Sequence, residues 1–376
     1  MSVTEVVADD AALRVTRRQR VLAEMEAADI DLLVVGREAN ARYVSGAPRL
    51  WTAGSRAFGP GCVLVRATGA VHLLSTWDEG IPDDIPHENL YPISFNAMNF
   101  VTVLQGIEGA ATARRVATDA LTPGTAHLLP MAFPAAELVD GEPMLRRCRQ
   151  VKTPDEVEAI GGAVQVTERA LAVTEAALAP GTTERRLTGV FMEAMADVGV
   201  TTPGSQDVAW ATSREQAWRG HGRDRAIEAG DLVAFDASVV VGGYAGELGR
   251  TYVAGGGEID ARLAGRFDDL WSRLLDALRP GAPLSDLLAA YETAGVAPPP
   301  MPIARGLGLG YDLPLVTHAL PGTAADQDVE AGMVVALVGY VWEQGVGGLY
   351  GSEPVVVTAT GAEALSAHPI RDTRSS

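Results

Sequence analysis

Two copies of one short phrase constrain the fold of this chain more than any other feature. The phrases "IEAGDLVAFDASVV", from Ile227, and "VEAGMVVALVGYV", from Val329, share the pattern V/I-E-A-G-x-V/L-V-A. Each follows two segments with helical apolar periodicity, and each runs into residues typical of a buried strand. The repetition predicts two similar halves that place their strands symmetrically about one cavity.

The first 148 residues follow a different pattern. An amphipathic helix pattern over 13–30 leads into the strand "DLLVVG", and the strands "GCVLVRA" and "AVHLLST" follow, with helical stretches near 97–116. Alternating helices and apolar strands predict an α/β domain over 1–148. In "VKTPDEVEAI", Thr153, Pro154 and Glu156 form a capping box that begins a long helix. We therefore predict a second, α+β domain over 149–376, with helices packed on an antiparallel sheet.

Charge and composition exclude several classes of function. The formal net charge is −18, and without clustered Lys and Arg a nucleic-acid partner is excluded. No apolar run approaches the roughly 18 residues of a membrane span, and the polar N-terminus has no signal-peptide core. Cys62 and Cys148 lie far apart, without metal or redox spacing, which favours reduced thiols. We predict a cytoplasmic protein with no membrane partner.

Two acids interrupt the first repeated strand region, "DLVAFDASVVVGGYAGELGRTYVAGGG". Asp236 and Glu247 stand where a strand does not normally accept a charge. A buried carboxylate without a partner destabilises a fold by several kcal/mol, so a compensating group is expected nearby.

These blocks carry a family resemblance. In order, "VKTPDEVEAI", "GDLVAFD", "RT" at 250–251, "EAGMVVAL" and "EPVVVT" make the chain similar to the creatinase/prolidase/aminopeptidase P (M24) family over nearly its whole length. The resemblance implies a creatinase-like α/β N-terminal domain and a C-terminal pita-bread domain with an internal pseudo-two-fold repeat. It also implies a homodimer in which residues such as Trp51 and Arg56 reach the neighbouring site.

The resemblance breaks at the metal site. Metal-dependent members hold two divalent ions with two aspartates, one histidine and two glutamates. The aspartates correspond to Asp236 and Glu247 here, and the other three positions fall on Arg305, Val338 and Ser352. Valine has no lone pair and arginine is permanently cationic, so we predict no metal and no cofactor. Strand alternation favours Ser352 over Glu353 on the cavity face, whereas a β-bulge would favour Glu353.

The resemblance also implies candidate site residues. His221, in "AWRGHGRDRAIEAGDLV", matches the position of a histidine that acts as general acid/base in the metal-free creatinase branch. Glu247 or Asp236 is its expected acid partner, and Arg305 is the expected anchor for an anionic group. The predicted substrate-binding residues are Arg305, Arg219, Trp210, Trp218, Tyr311, Trp342 and Glu353.

We therefore predict a metal-independent, creatinase-like enzyme that acts on a small anionic or aromatic molecule by C–N hydrolysis, or by a related lyase or ring-opening step. One alternative is a non-catalytic pita-bread protein that binds a ligand or a partner protein. Another is a residual Xaa-Pro-type metallopeptidase with one ion held by Asp236, Glu247 and Glu353. Independently of these functions, Asp236, Glu247 and Arg305 could form a buried salt-bridge network.

Overall fold

The structure is a computed structural model, and it describes residues 10–47, 61–74, 80–92, 96–119, 123–219, 224–320, 327–368 and 370. The chain divides after Arg149 into two compact units, each with its own sheet and its own hydrophobic core. Within these ranges, the helices are all too short or too polar to cross a lipid bilayer.

The N-terminal unit is a mixed five-stranded sheet with helices. Its strands are β1 (Leu32–Val35), β2 (Cys62–Val65), β3 (Val71–Leu73), β4 (Arg115–Thr118) and β5 (Glu137–Asp140). Its helices are α1 (Asp10–Ala27), α2 (Glu38–Ser45), α3 (Ala97–Gly106), α4 (Pro123–Ala132) and α5 (Glu142–Gln150). The spatial order is β3-β2-β1-β4-β5, with β1, β4 and β5 parallel and β2 and β3 antiparallel to their neighbours. This is the α/β architecture that the alternation of helices and strands predicts.

The C-terminal unit consists of helices packed on a large sheet whose paired strands are antiparallel. Its helices are α6 (Pro154–Ala176), α7 (Glu184–Asp197), α8 (Ala261–Ala277) and α9 (Asp286–Thr293). Its strands are β6 (Ala209–Ala211), β7 (Leu232–Val241), β8 (Tyr244–Val253), β9 (Ala304–Gly308), β10 (Gly310–Val316), β11 (Val334–Glu343), β12 (Gly347–Thr358) and β13 (Gly361–Ala364). The order is β10-β9-β11-β12-β8-β7-β6, and β13 pairs with β12.

Both halves of this unit repeat the same order of elements. Helices α6 and α7 precede the long hairpin β7–β8, and helices α8 and α9 precede the long hairpin β11–β12. The two hairpins meet at the centre of the sheet, where β12 lies next to β8. The internal repeat that the two similar phrases predict is confirmed, and so is the α+β class of this unit.

The helices pack on one face of the sheet. The capping box begins α6 as predicted: Thr153 N–H donates to Glu156 Oε2 at 3.0 Å, and Glu156 N–H donates to Thr153 Oγ1 at 3.2 Å. Further along α6, Thr167 Oγ1 donates to the Gly246 carbonyl at 2.8 Å. A Cβ on Gly246 would lie 2.2 Å from the Ala163 carbonyl carbon, so only glycine lets this helix approach β8 so closely.

Strand β11 shows how the two faces of the sheet differ. Its residues Val335, Leu337 and Val341 belong to the core that also contains the apolar side of α8. The alternate residues Val338 and Tyr340 belong to a separate, smaller cluster. Because successive side chains of a strand point to opposite faces, the first set lies on the helical face and the second on the other face.

Candidate functional site

The face opposite the helices collects side chains from several strands. Asp236 lies directly opposite Gly249, Gly249 opposite Ser352, and Ser352 opposite Val338. Residues directly opposite each other in a sheet share a face, so this row crosses β7, β8, β12 and β11. Strand alternation and register add Trp210, Glu247, Arg305, Tyr340, Trp342 and Tyr350. We call this surface the site face.

Gly249 allows β8 and β12 to meet closely at the centre of the site face. A Cβ at this position would lie 2.4 Å from the Ser352 backbone nitrogen and 2.4 Å from the Tyr350 ring. The Ser352 backbone nitrogen could not move away without disturbing strand pairing, so a side chain at residue 249 is excluded. The close approach places Ser352 within reach of Glu247 on the adjacent strand.

A buried ion pair lies at the centre of this face. Arg305 Nη2 donates to Glu247 Oε1, and Ser352 Oγ donates to the same carboxylate oxygen at 2.9 Å. Glu247 is only 1% exposed, whereas the Arg305 side chain keeps 11% of its surface accessible. Burial alone would lower the pKa of Arg305, but the Glu247 and Asp236 carboxylates raise it above its ordinary value. Arg305 is therefore cationic and paired with an acid of the sheet.

Asp236 is the accessible acid of the cluster. It is partly exposed on an otherwise buried strand, and it interacts with Glu247, Arg305 and the Tyr350 phenol. Surrounding protein atoms desolvate its carboxyl, although the residue as a whole keeps part of its surface accessible. This desolvation, followed by repulsion from Glu247, raises the pKa of Asp236 to about 7, and Arg305 offsets only part of the effect.

This environment makes Asp236→Asn a stabilising substitution near neutral pH. An aspartate with a raised native pKa binds its proton more tightly in the folded chain than in the unfolded chain. Stability therefore falls as the pH rises from about 4 to about 7, and stays low above that range. We expect Asn to raise the free energy of unfolding by about 1–3 kcal/mol at pH 8, because it removes this ionisation. Urea unfolding checks this, and an advantage that persists undiminished at pH 4.5 would contradict it.

Aromatic side chains surround the ionic cluster. The rings of Trp210 and Tyr350 meet edge to face with centroids 5.0 Å apart. Both belong to an apolar cluster with Val338 and Tyr340, against which Trp342 packs. The position of Val338 within this cluster shows that its isopropyl group contacts rings rather than a polar ligand. The site thus combines a small ionic centre with an aromatic wall.

The loop 212–219 is attached to this wall. Tyr340 Oη donates to the Ala217 carbonyl at 2.6 Å, and Trp342 Nε1 donates to the Ser213 carbonyl at 2.7 Å. The ring of Trp218 packs against that of Tyr340 in a tilted arrangement with centroids 4.4 Å apart, and Trp218 is 37% exposed. Tyr340 and Trp342 of β11 therefore hold the loop 212–219 at the edge of the site face.

Arg219, at the end of this loop, has a structural partner. Its guanidinium donates to Glu184 Oε1 at 2.5 Å, to Glu184 Oε2 at 3.2 Å and to the Ala211 carbonyl at 2.6 Å. Glu184 is 1% exposed and also accepts from the Ala211 N–H at 2.8 Å. These contacts fix the loop to α7 and β6. The placement of Arg219 gives no support to the substrate-binding role predicted for it.

Glu353 lies on the helical face, because it follows Ser352 on a regular strand. Its Oε2 accepts from Arg250 Nη2 at 2.8 Å. Burial raises the pKa of Glu353, and Arg250 offsets part of this rise. Strand alternation therefore places Ser352 at the cluster, and the register between Val338 and Ser352 contains no bulge. Glu353 therefore pairs with Arg250 and does not join the ionic cluster, and this placement gives no support to the substrate-binding role predicted for it.

Several predicted site residues cannot be placed. His221 lies outside the described residues, as do Trp51 and Arg56. Tyr311 belongs to β10, but its side chain is not among those described. Tyr350 is the functional candidate that the sequence analysis missed. Its alternation with Ser352 on one strand is the signal that could have identified it.

The donor set does not fit two divalent ions. Of the five family ligand positions, only Asp236 and Glu247 carry carboxylates, and Glu247 already binds Arg305 and Ser352. Divalent and transition metals need several oxygen or imidazole donors, and a guanidinium among them would repel a cation. The described ranges contain no group of three or more His, Cys, Asp or Glu side chains with metal-binding geometry.

Comparison with known proteins agrees with the fold. Residues 17–151 match the creatinase/prolidase N-terminal domain, and residues 158–359 match metallopeptidase family M24. The chain superposes on the prolidase of Pyrococcus horikoshii OT3 with a TM-score of 0.75 at 17% identity, covering 94% of this chain and 99% of that one. It superposes on dipeptidase PepE of Mycobacterium ulcerans with a TM-score of 0.71 at 24% identity, covering 97% and 98%.

A curated relative is also named as a peptidase. The putative dipeptidase YkvY of Bacillus subtilis strain 168 is 26% identical over 268 residues, which cover 68% of this chain and 70% of that protein. These names overturn the prediction of a creatinase-like enzyme for a small anionic or aromatic molecule. That prediction treated Arg305 as an anion anchor and Arg219 as a substrate-binding residue, whereas both guanidiniums bind acids of the fold. Since the match to the family covers more than half of the chain, the protein belongs to metallopeptidase family M24.

Proposed function

We propose that this M24 protein binds short peptides of dipeptide size at its site face, without a dinuclear metal centre. The observation that carries the proposal is the Arg305–Glu247 ion pair, which occupies the centre of the face with Ser352 as a third partner. The ligand class is supported by the relatives, which are named as dipeptidases and prolidases.

The residues favour binding over metal-dependent hydrolysis. A metal supplies such a reaction with an activated water and with polarisation of the scissile carbonyl, and it needs a set of donors to hold it in place. Here one of the two carboxylates is sealed beneath Arg305, and Val338 packs against aromatic rings. The aromatic wall of Trp210, Trp342 and the loop residue Trp218 offers apolar contact for a bound peptide.

The proposed ligand-binding residues are Asp236, Trp210, Trp218 and Trp342, with Glu247 and Arg305 forming the base of the site. His221 as a proton carrier stays a prediction, as does a contact from Tyr311. A cytoplasmic location, a homodimeric assembly and domain limits of 1–148 and 149–376 also stay predictions.

Retained peptidase activity is the second candidate function. The observation that favours it is the agreement among the relatives, whose names describe dipeptidases and prolidases. In this case Asp236 and a partly displaced Glu247 would hold a metal ion, and Arg305 would have to move away from Glu247.

Titration calorimetry with alanyl-proline and alanyl-alanine tests the proposal on the purified chain. We expect saturable binding, together with intact peptide in mass spectra after long incubation with or without added Mn²⁺. The absence of binding for both peptides would overturn the proposal. Cleavage that requires Mn²⁺ would replace it with the second candidate.

A further inference from the structure

The sequence contains a single lysine, Lys152, whereas 29 positions carry arginine. The Lys152 side chain is 1% exposed and pairs with Asp312 of β10, whose side chain is 3% exposed, with Nζ and Oδ2 3.6 Å apart. Its Nζ also donates to the Gln150 carbonyl at 3.4 Å. A buried ammonium destabilises a fold unless an opposite charge and hydrogen-bond acceptors compensate it. The lysine is therefore held inside the fold by specific partners, and the ionic centre of the site face does not include it.

This buried pair lies on the helical face, on the other side of the sheet from Arg305. Gly306 of β9 lies opposite Val335, a residue of the helical core, and Asp312 lies opposite Gly306. Residues directly opposite each other share a face, so Asp312 points to the helical face. Arg305 precedes Gly306 on the same strand and therefore points to the site face. The two ion pairs thus lie on opposite faces of the sheet near β9.

Lys152 connects the two strands that flank β9. Its backbone N–H donates to the Gly332 carbonyl at 2.8 Å, just before β11 begins, and its side chain pairs with Asp312 of β10. Strand β9 lies between β10 and β11. A Cβ on Gly308 of β9 would lie 3.3 Å from Lys152 Cε and 2.6 Å from Asp312 Oδ2. The lysine therefore spans β9 on the helical side, and the glycine at residue 308 leaves room for the pair.

Strand pairing alone restrains β9 weakly around Arg305. The ladder of β9 with β11 ends at Gly306, the next residue. On the other side, the register of β9 with β10 shifts between Asp312 and Leu315, and Leu315 is the residue opposite Arg305. Such a shift interrupts the regular ladder of hydrogen bonds. The position of the Arg305 guanidinium therefore depends on contacts other than strand pairing.

We propose that Lys152 is a positioning residue of the site. By joining β10 to the chain just before β11, it restrains β9 from the helical side and so keeps the Arg305 guanidinium against Glu247. The narrow space beside Gly308 suits its compact ammonium, whereas a planar guanidinium is wider and carries five donors. The effect on peptide affinity rests on the proposed function, whereas the effect on the Arg305–Glu247 pair does not.

Urea unfolding and titration calorimetry with alanyl-proline, carried out on two variants, test this inference. In Lys152→Met, Asp312 stays buried without its partner, so we expect a clear loss of stability. In the double variant Lys152→Met with Asp312→Leu neither charge remains, and most of the stability should return. Both variants should nevertheless bind alanyl-proline at least about threefold more weakly, because the connection beneath β9 is missing from both. A pair that only stabilises the fold would restore affinity together with stability.

A glycine variant and a matched control extend the comparison. Gly308→Ala keeps both charges, but its Cβ would lie 2.6 Å from Asp312 Oδ2, so it displaces the carboxylate and should lower affinity in the same way. The control is Glu343→Gln, which removes an acid that pairs with Arg262 and Arg266 of α8 at the far end of β11. This control should bind alanyl-proline as tightly as the unaltered chain.

A stability comparison with Arg305→Met tests the inference without any peptide. If Lys152 restrains the strand that carries Arg305, then Arg305→Met should lose less stability in the Lys152→Met/Asp312→Leu background than in the unaltered chain, because β9 is already released. An equal loss in both backgrounds would overturn the inference.

The possible outcomes separate the inference from the proposed function. If the unaltered chain binds neither dipeptide, the proposed function fails, and the stability comparison alone decides the role of Lys152. If the unaltered chain binds alanyl-proline and the double variant Lys152→Met/Asp312→Leu binds it equally well, the positioning role is wrong while peptide binding stands.

Discussion

Replacing Arg305 with methionine is expected to lower the free energy of unfolding by about 3–5 kcal/mol at pH 8. The substitution keeps a long apolar stem but removes the cation that pairs with Glu247, which is only 1% exposed. The two carboxylates of the cluster would then face each other across a desolvated site. Breaking one side of a buried pair destabilises more than the pair itself stabilises, because the remaining charge stays buried. Equilibrium urea unfolding measures the effect.

The pH dependence and two further variants make this prediction specific. Arg305 lowers the pKa of Asp236, so its loss should raise that pKa further and make the deficit smaller at pH 5 than at pH 8. The double variant Arg305→Met with Glu247→Gln should recover much of the loss. Arg273→Met, which breaks an exposed pair with Asp269, should show no measurable change. Equal stability of Arg305→Met and the unaltered chain at pH 8 would contradict the assigned ion pair.

Arg250→Met is expected to have an effect of similar size, also about 3–5 kcal/mol, on the helical face of the sheet. Arg250 donates to Glu353 at 2.8 Å and to the carbonyls of Gly249 and Ser352 at 2.8 and 3.1 Å. It also donates to the carbonyl of His368 at 3.2 Å, and so holds the C-terminal segment against the sheet. Its loss would leave Glu353 buried beside carbonyl oxygens.

Limited proteolysis and urea unfolding together measure this second effect. Besides the loss of stability, we expect faster cleavage of the C-terminal segment, because a contact to the His368 carbonyl disappears. The double variant Arg250→Met with Glu353→Met should be more stable than the single one. As a control, Arg262→Met removes a 77% exposed guanidinium from Glu343 and should change stability by less than about 0.5 kcal/mol. A similarly small effect of Arg250→Met would show that Glu353 tolerates burial without its partner.

The fold could be predicted from the sequence because local patterns and global arrangement agree. The capping box at Thr153 begins α6, and the repeated E-A-G phrases precede the hairpins of both halves. The two-residue period of strand side chains also predicted correctly that Ser352, and not Glu353, lies on the site face. Ser352 contacts the ionic cluster, whereas Glu353 lies on the helical face. Such alternation is reliable here because the pairing of β11 with β12 contains no bulge.

The chemistry of the site was harder to predict, because it depends on which charges pair across the sheet. Sequence alone could not show that Arg219 is held by Glu184, or that Arg305 binds Glu247 and is thereby lost as an anion anchor. Both partners lie far away in the sequence, at separations of 35 and 58 residues. The anion-anchor role predicted for Arg305 came from considering its guanidinium without its partner acid.

There is also a physical reason why the chain keeps the family fold while its site residues differ from the metal ligands of the family. Packing of α6 and α8 against the two hairpins maintains the fold. This packing does not depend on having metal-binding side chains at the ligand positions. Val338 and Ser352 satisfy packing and hydrogen bonding at positions where the family resemblance implies glutamate ligands. A family fold can thus persist while its metal donors change.

Direct measurement of Mn²⁺ binding tests the central claim, that a guanidinium–carboxylate pair occupies the place of the metal donors. The purified chain is incubated with excess Mn²⁺, desalted, and its metal content is determined by mass spectrometry, alongside a variant that combines Arg305→His, Val338→Glu and Ser352→Glu. We predict well below one ion per chain for the unaltered protein and a clear gain for the variant. Stoichiometric Mn²⁺ retained by the unaltered chain, and lost on Asp236→Asn, would contradict the account.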